Sequence, residues 1–279
     1  MTTLRDLLVL APGSASSTPA PESSATDSDV VRLVATPAGS GFLFGGLTLA
    51  IGLRAAMQTV DHGLEPKSLH ALFMRPGTWG DPLDVTVARV NDSRAFAVRR
   101  SVVSRERRTI AEMVVVAHRP EGGSDHQHEA ASSADGVDQL APVPARLPIP
   151  ELMEVRPVPP SDWSSGASVH PYWARFDGFA GFSAVERWCA VAFLSDYMVI
   201  ATPFAKGSTE GSEFLSRTLS QTVWFHRPMS GEWMLASAKP ITVVDGRFTS
   251  NGSIHDEHGR LVASFVQEGI LRPNDLPVP

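Results

Sequence analysis

Three polar residues in the second half of the chain have mostly apolar neighbours. Asp196 follows an apolar segment that ends in Phe-Leu-Ser and precedes Tyr-Met-Val-Ile, whereas Thr218 and Gln267 each lie in a strand-like segment. A carboxylate in such surroundings needs a hydrogen-bonding partner or a chemical function, because a bare buried charge is costly. One such function is the activation of water, since a carboxylate can accept its proton while hydroxyl and amide groups hold it by hydrogen bonds. The spacing alone equally allows Thr218 and Gln267 to satisfy buried backbone groups.

The elements that position these residues form two similar halves. In each half an apolar helical segment is followed by an apolar strand that ends in Arg-Pro, and further strand-like segments end in a second Arg-Pro. Arg75 and Arg119 are 44 residues apart in the first half, and Arg227 and Arg272 are 45 residues apart in the second. Two copies at this period predict a duplicated domain rather than a solenoid of many repeats.

The duplication provides an internal control for the polar set. Counted back from the Arg-Pro pairs, the position that matches Thr218 is Pro66, and the position that matches Gln267 is Val114. The threonine and the glutamine therefore occur in one half only. An asymmetric polar set on a duplicated scaffold predicts one active site for the chain rather than two.

Alternating apolar and polar residues predict several strands in each half. The predicted strands are 83–90, 94–104 and 109–118 in the first half, and 233–238, 247–255 and 260–271 in the second. The helical segments 47–60 and 183–195 precede them, and the first is apolar on nearly all sides, so it must be enclosed. We therefore predict an α+β fold of two helix-wrapped antiparallel sheets fused in one chain, a double hotdog.

Composition divides the chain into four segments. Residues 1–28 are predicted to be a short helix and a mobile tail, because a tract rich in Ser, Ala, Pro and Thr cannot bury enough apolar surface to order itself. Residues 29–120 form the predicted N-terminal hotdog module. Residues 121–165 form a Pro/Gly/Ser-rich linker, and residues 166–279 form the C-terminal module that carries the polar set.

Composition also excludes several classes of function. Cys189 is the only cysteine, so neither an intramolecular disulfide nor a zinc site of several thiolates is available. The net charge of −6 argues against bulk nucleic-acid binding, and the longest apolar stretch is too short to span a bilayer. His118, His126 and His128 allow a metal site, but regularly spaced acidic or sulfur ligands are missing, so a solvated linker is favoured and no metal is predicted. The N-terminal residues lack the order of a secretory signal, which makes the cytoplasm the expected location.

The sequence lacks the motifs of several common enzyme classes. It contains no Gly-x-Ser-x-Gly, no Walker A loop and no His-Glu-x-x-His. Serine hydrolases with a nucleophile elbow, P-loop enzymes and zinc proteases are therefore disfavoured.

Five short motifs, distributed over both halves, resemble those of the acyl-CoA thioesterase II family, whose members are double-hotdog hydrolases. These motifs are Phe44-Gly45-Gly46, His70-Ala-Leu-Phe-Met-Arg-Pro-Gly77, Phe96-Ala-Val-Arg-Arg100, Trp224-Phe-His-Arg-Pro228 and Val266-Gln-Glu-Gly269. The resemblance implies that the chain hydrolyses acyl-CoA thioesters to free fatty acid and CoA, without a cofactor. It also implies that Asp196, Thr218 and Gln267 hold the family's catalytic positions.

Two departures from the family pattern are informative. The family usually has glutamine where this chain has Leu47, and it commonly has Asp-His before a Ser-Met-Trp string, where this chain has Ser220-Gln221-Thr222. The first departure weakens the expectation of polar contacts near the thioester carbonyl. A non-hydrolytic acyl-CoA-binding protein on the same fold is therefore the alternative interpretation. A hydratase is disfavoured, because no Asp-His pair is spaced along one helix.

For hydrolysis, we expect Asp196 to orient a water molecule and take its proton, with a pKa raised by apolar surroundings. We expect Thr218 and Gln267 to fix that water by hydrogen bonds. The expected donors to the oxyanion are the backbone amides of Gly46 and Leu47, because a helix N-terminus offers free N–H groups and a favourable dipole.

The remaining predictions concern partners. An arginine-rich segment is expected to be mostly solvated, with one or two side chains reaching the CoA phosphates; its members are Arg99, Arg100, Arg105, Arg107 and Arg108. His70 and His226 are expected to pair across the central sheet or to form core hydrogen bonds rather than to catalyse. Exposed edge strands predict assembly into a homo-oligomer, with acyl-CoA as the ligand and no nucleic-acid partner.

Overall fold

The structure, a computed structural model, describes residues 2–13, 30–35, 41–131, 136–159, 170–204 and 214–273. The first half contributes β1 (Leu10–Pro12), β2 (Val30–Ala35), β3 (Glu65–Phe73), β4 (Leu83–Asp92), β5 (Phe96–Arg105) and β6 (Arg108–His118). The second half contributes β7 (Met153–Pro157), β8 (Tyr172–Phe176), β9 (Phe214–Phe225), β10 (Met234–Val244), β11 (Arg247–Asp256) and β12 (Leu261–Pro273). The α-helices are α1 (Leu4–Leu7), α2 (Gly45–Met57) and α3 (Ala184–Leu194).

All the described strands belong to one antiparallel sheet. Its order is β1-β2-β4-β5-β6-β3-β9-β12-β11-β10-β8-β7. Each half supplies six strands, and their order from the edge of the sheet to its centre is the same in both halves. The halves join where β3 pairs with β9, with His70 opposite Thr222. The predicted pair of helix-wrapped sheets is thus confirmed, and the two sheets are continuous across this central pair.

The two long helices pack against each other inside the curved sheet. Helix α2 is buried on nearly every side, as its apolar composition predicts. Helix α3 begins with a capping box, in which the Ser183 side chain accepts from the Glu186 amide and the Glu186 carboxylate accepts from the Ser183 amide. None of the helices in the described residues is long and apolar enough to cross a membrane.

The N-terminal segment contributes to the core, which the prediction of a mobile tail did not include. The predicted short helix is α1, and Leu4, Leu7 and Leu8 are buried in the main hydrophobic cluster. Arg5 pairs with Glu186 at the start of α3, and β1 pairs with β2 at the sheet edge. The remainder of the predicted tail, residue 1 and residues 14–28, lies outside the described residues.

Part of the predicted linker also belongs to the sheet. Strand β7 pairs with β8, so the C-terminal module begins before residue 166. Further upstream, Asp125 pairs with Arg227, and the Gln127 side chain accepts from the Leu261 amide. Prolines and serines spaced along this segment disrupt regular alternation, which is why the sequence pattern did not reveal its strand.

The strand register defines which residues correspond in the two halves. After β3, the amides of Met74 and Arg75 donate to Ile110, and after β9 those of His226 and Arg227 donate to Val262, so Ile110 and Val262 are equivalent. Counted from this pair, Gln267 corresponds to the buried Val115 and not to the partly exposed Val114. The count from the Arg-Pro pairs was wrong by one residue because the second Arg-Pro does not lie at the same register position in the two halves: Arg119 follows Ile110 by nine residues, whereas Arg272 follows Val262 by ten.

Candidate active site

Asp196 lies just after the end of α3, where this helix meets the N-terminus of α2. The N-cap residue of α2, Phe44, provides no side-chain hydrogen bond to the first turn. The carboxylate of Asp196 takes this place instead, because it accepts a hydrogen bond from the Gly46 amide. An anion is favourable at a helix N-terminus, so α2 from one half stabilises the carboxylate carried by the other.

The structure brings together all three predicted catalytic residues. Thr218 donates its hydroxyl to Asp196 Oδ1 at 3.1 Å, and the Gln267 amide nitrogen donates to the same oxygen. Asp196 is 4% exposed and Gln267 is fully buried. Thr218 and Gln267 therefore both donate to the carboxylate itself, whereas the sequence predicted that they would hold the attacking water.

Burial raises the pKa of Asp196 to about 6. The loss of hydration is the largest cause, and the hydrogen bonds from Thr218, Gly46 and Gln267 partly offset it by favouring the charged form. At neutral pH the carboxylate is therefore mostly ionised, yet it binds a proton far more readily than an exposed aspartate does. This combination suits a general base, whose pKa should lie near the operating pH.

Gly45 allows the second carboxylate oxygen to lie against the start of α2. A β-carbon added at Gly45 would stand 2.7 Å from Oδ2 of Asp196. The carboxylate could not retreat easily, because its other oxygen is fixed by Thr218 and Gln267. The Phe44-Gly45-Gly46 motif is thus required for the close approach of the helix to the carboxylate.

Asp196 lines a cavity of about 460 Å³. The cavity lies between the two halves, and its lining comes from the segments 42–45, 73–77, 146–148, 196–198 and 216–219. Its walls are mainly apolar, and Asp196 is the one carboxylate among the described lining residues. A cavity of this size, with few polar groups converging on one carboxylate, is typical of a small-molecule site.

Gln221 is a polar residue whose role the sequence analysis missed. Its amide nitrogen donates to the Ser195 carbonyl at 2.9 Å and approaches the Ser195 hydroxyl at 3.3 Å, and the side chain is fully buried. Gln221 therefore fixes the last turn of α3 directly before Asp196. In the sequence Gln221 appeared only as a departure from the family pattern. Its role became visible from the packing of β9 against the end of α3.

Two buried amide oxygens complete the polar surroundings. Gln267 and Gln221 are direct neighbours on β12 and β9, and neither Oε1 has a hydrogen-bond partner within the described residues. On the other side of Gln267, Ser250 bonds Thr202 through their hydroxyl groups at 2.6 Å. A buried acceptor without a donor is costly, so the Gln267 oxygen has capacity for one more hydrogen bond; Gln267 lies behind Asp196 and is not among the residues that line the cavity.

The two amides expected to bind the oxyanion have different partners. The Gly46 amide is directed at the Asp196 carboxylate, and the Leu47 amide donates to the Phe44 carbonyl at 3.1 Å. The Leu47 side chain is fully buried, so no polar side chain stands where the family usually has glutamine. Gly45, the first residue of α2, lines the cavity, and the amide of a first helical residue has no intrahelical partner.

The five clustered arginines do not line the cavity. Three of them have carboxylate partners: Arg99 pairs with Asp92, Arg100 with Glu112 and Arg105 with Asp81. Arg107 and Arg108 lie exposed at the turn between β5 and β6. The expectation that some of them reach a ligand in this cavity therefore finds no support in their positions. The arginines that line it are instead Arg75, Arg146 and Arg217.

The predicted histidines take part in strand-to-strand contacts. His70 contacts the Thr222 hydroxyl across the β3–β9 junction at 3.3 Å, and His226 contacts the Ser264 hydroxyl on β12 at 2.8 Å. The buried Cys189 has a pKa raised to about 12 by loss of hydration, which excludes a thiolate nucleophile. Within the described residues, no cluster of three or more His, Cys, Asp or Glu side chains could hold a metal ion.

Comparison with known proteins places the chain in a family. Residues 34–118 match the family described as "Acyl-CoA thioesterase N-terminal domain", and residues 125–271 match "Acyl-CoA thioesterase C-terminal domain". A similar protein is acyl-CoA thioesterase 2 of Haemophilus influenzae, which is 26% identical over 251 residues that cover 82% of this chain and 87% of that protein.

Solved structures share the fold. The acyl-CoA thioesterase II TesB2 from Mycobacterium marinum superposes with a TM-score of 0.76 at 22% identity, covering 99% of both chains. A hot dog protein of unknown function from Alicyclobacillus acidocaldarius gives a TM-score of 0.74 at 17% identity, covering 99% of this chain and 98% of its own. Since the two domain families together extend over both halves and the site between them, the chain belongs to the acyl-CoA thioesterase family and hydrolyses acyl-CoA thioesters.

Proposed function

We propose that Asp196 is the general base of this hydrolysis and that Thr218 and Gln267 are its catalytic partners. The observation that carries the proposal is a buried carboxylate with a pKa of about 6 that is held by three hydrogen-bond donors at the wall of an apolar cavity. At neutral pH such a carboxylate can accept a proton from water, and in its protonated form it can donate this proton to the leaving group.

The reaction balances without a cofactor. A water oxygen attacks the thioester carbonyl carbon while its proton passes to Asp196. The tetrahedral intermediate then expels the CoA sulfur, which receives the proton from Asp196, so that the fatty acid and CoA are released and the carboxylate is regenerated. The burial of Asp196 favours this chemistry, because charge–dipole interactions around a buried group are stronger than in bulk water.

Thr218 and Gln267 serve two functions in this proposal. Both fix Oδ1 of Asp196, so that Oδ2 is directed towards the start of α2 and the cavity. The free Oε1 of Gln267 can accept the second hydrogen of the attacking water. Two acceptors, one carboxylate and one amide, would then hold the water in a fixed orientation, which lowers the entropy cost of attack.

For the developing oxyanion, the sequence-based prediction of the Gly46 and Leu47 amides remains a prediction. Because the Leu47 amide already donates to Phe44 and the Gly46 amide to Asp196, we propose the Gly45 amide as the donor. Gly45 is the first residue of α2, at the positive end of the helix dipole. The apolar wall formed by side chains such as Phe73, Ile110 and Ile200 is the proposed contact surface for the acyl chain.

The experiment that tests this function is thiol release from a panel of acyl-CoAs. The Asp196→Asn variant keeps the shape of the side chain and loses the base, so kcat should fall by about 10²–10⁴-fold. In the wild type, kcat/KM should rise with pH and reach half its plateau near pH 6, because only ionised Asp196 is active. Asp61→Asn, which changes an exposed aspartate outside the cavity, should leave turnover unchanged.

Two outcomes would contradict the proposal. If Asp196→Asn retained half of the wild-type turnover on the best substrate, Asp196 would not be the base. If the wild type bound acyl-CoA without releasing thiol, the non-hydrolytic alternative would hold; no feature of the site favours that alternative, because all three predicted residue types are present and in contact. The cytoplasmic location and the homo-oligomeric state remain predictions from the sequence.

A further inference from the structure

We propose that Arg75 and Arg217 form a phosphate-binding subsite at the mouth of the cavity, which recognises the phosphate groups of the CoA moiety. The inference rests on the proposed function, because it assumes that acyl-CoA occupies this cavity. It assigns the recognition of the charged part of the substrate to Arg75, a member of the His70–Gly77 motif with no role predicted from the sequence, and to Arg217, which lies in none of the motifs.

The topology brings the two arginines to the same place. Strands β3 and β9 run antiparallel at the junction of the halves, and their last paired residues at this end are Leu72 and Ser220. Arg75 lies three residues after Leu72, and Arg217 lies three residues before Ser220, which is the same direction along the antiparallel pair. Both side chains therefore emerge where the two halves separate, and both line the cavity.

Neither arginine has a counter-charge among the residues that the structure describes. Among the described residues, no carboxylate lies within ion-pair distance of Arg75 or Arg217, whereas Arg99, Arg100 and Arg105 each have an acidic partner. Arg75 donates to the Thr109 carbonyl at 3.2 Å, and the Arg217 guanidinium lies 5.0 Å from the centre of the Phe42 ring. These contacts orient both guanidinium groups and leave their charge uncompensated.

Two like charges beside a low-dielectric cavity repel each other unless an anion lies between them. Asp196 is the one carboxylate among the described lining residues, and it is occupied by Thr218, Gln267 and Gly46. A bound phosphate would relieve the repulsion, and guanidinium groups suit it because they offer paired donors in a planar fork. Arg146 adds a third positive charge on the connector side of the cavity.

The subsite also gives the substrate a direction. The thioester must reach Asp196 inside the cavity, whereas the phosphates are too strongly hydrated to enter an apolar space. Arg75 is exposed and Arg217 is partly exposed, so both can bind a phosphate that stays in contact with solvent. The pantetheine arm would then extend from these arginines into the cavity, towards Asp196.

The test compares three substrates that carry the same acyl group: acyl-CoA, acyl-dephospho-CoA and acyl-pantetheine, of which the last has no phosphate. Arg75→Gln and Arg217→Gln should each raise KM for acyl-CoA by about tenfold or more, since a charge-assisted hydrogen bond typically changes affinity by that factor. Neither substitution should change kcat/KM for acyl-pantetheine by more than about twofold. Loss of the effect with acyl-dephospho-CoA would assign the 3′-phosphate, and its retention would assign the pyrophosphate.

The matched control is Arg107→Gln, which removes an exposed arginine in the turn between β5 and β6. It should leave KM for every substrate unchanged. An increase in KM with Arg107→Gln equal to that of the cavity variants would overturn the proposal, as would equal losses on acyl-CoA and acyl-pantetheine. If Arg217→Gln does not fold, Arg217→Lys, which keeps the charge but not the fork, should raise KM for acyl-CoA selectively.

Salt provides a second measurement that needs no variant. The wild-type KM for acyl-CoA should rise with ionic strength, because exposed charges are screened, while KM for acyl-pantetheine stays constant. Parallel salt dependence for both substrates would overturn the subsite. If the wild type hydrolysed neither substrate, the proposed function itself would fail, and this outcome is distinct from loss of phosphate discrimination.

Discussion

The two halves of the sheet face the core with equivalent rows of side chains, and these rows differ in polarity. The row consists of Arg99, Val115 and Leu69 in the first half, and of Ser250, Gln267 and Gln221 in the second. All six side chains are buried. On a duplicated scaffold, replacing Val115 and Leu69 by two glutamines is therefore the change that builds a polar site.

Each half also buries one charged group, and the two charges differ in their surroundings. Arg99 donates to the Thr59 hydroxyl, the Thr59, Asn91 and Val98 carbonyls and the Asp92 carboxylate, so its hydrogen-bonding capacity is largely used within the fold. Asp196 is held by three donors but lines a cavity, where it can exchange a proton with a ligand. A buried charge that is fully paired stabilises structure, whereas one that faces a cavity with a shifted pKa is suited to chemistry.

Among the predictions that compare the two halves, Gln267→Leu has the largest expected effect, and it tests whether Gln267 acts through Asp196. Alone, Gln267→Leu should lower kcat/KM by about 10–100-fold, the value of a hydrogen bond to a charged group. Combined with Asp196→Asn, it should cost less than about threefold more than Asp196→Asn alone, because the partner it orients is already gone. A double-mutant cycle on kcat/KM measures this coupling.

The equivalent position in the first half supplies the control for this cycle. Val115→Leu changes packing at the corresponding place in the row, and it should leave kcat within about twofold of the wild type. Independent, multiplying effects of the Asp196 and Gln267 substitutions would show that the two residues do not act on one water, and the proposed mechanism would have to be abandoned.

The sequence predicted the residue types of the site because their chemistry conflicts with their apolar context. Asp196, Thr218 and Gln267 stood out in this way, and the structure brings them into contact. Gln221 stood out only as a departure from the family pattern, since its role depends on the Ser195 carbonyl that α3 places beside β9. Local pattern reveals an isolated polar residue, but not the partner that tertiary packing supplies.

Two features could not be predicted from the sequence: the exact register between the two halves, and which arginines line the cavity. Counting from the Arg-Pro pairs matched Gln267 to Val114 rather than Val115, because Arg272 lies one residue further from Val262 than Arg119 lies from Ile110. The density of charge in the arginine-rich hairpin predicted that some of its side chains reach the substrate. The cavity is instead lined by Arg75 and Arg217, which lie outside that hairpin. Which arginines face a ligand depends on where β3 and β9 separate, and this is a property of the joined halves rather than of either segment.

A second prediction addresses the buried cation of the first half. Arg99→Met keeps most of the side-chain volume and removes the hydrogen bonds to Thr59, so the free energy of unfolding should fall by about 3 kcal/mol. The pH profile of kcat/KM should keep its midpoint, because Arg99 does not line the cavity. Urea unfolding and a pH–rate series measure the two effects. If Arg99→Met shifted the pH midpoint of kcat/KM and left the free energy of unfolding unchanged, Arg99 would serve the chemistry rather than the fold, contrary to the prediction.

The smallest expected effect concerns the cost of keeping Asp196 charged. Its pKa is about 6 in the folded chain and near its ordinary value of 3.8 in the unfolded chain. Unfolding therefore releases a proton between these two pH values, so the contribution of Asp196 to stability falls as the pH rises from about 4 to about 6 and is constant above. The shift corresponds to at most about 3 kcal/mol, since each pKa unit is worth about 1.4 kcal/mol.

Asp196→Asn removes this titration, because an amide stays neutral at every pH. The variant should be more stable than the wild type by about 2 kcal/mol at pH 7.5, somewhat below the limit because its amide group cannot accept from the Gly46 amide as a carboxylate does. At pH 4.5 the difference should shrink to a small fraction of that value. Urea unfolding of both chains at the two pH values measures it, since all other titrating groups are shared and cancel. A variant that is less stable than the wild type at pH 7.5 would mean that the carboxylate is structural, as Arg99 is, and that inactivity of Asp196→Asn reflects damage to the fold rather than loss of a base.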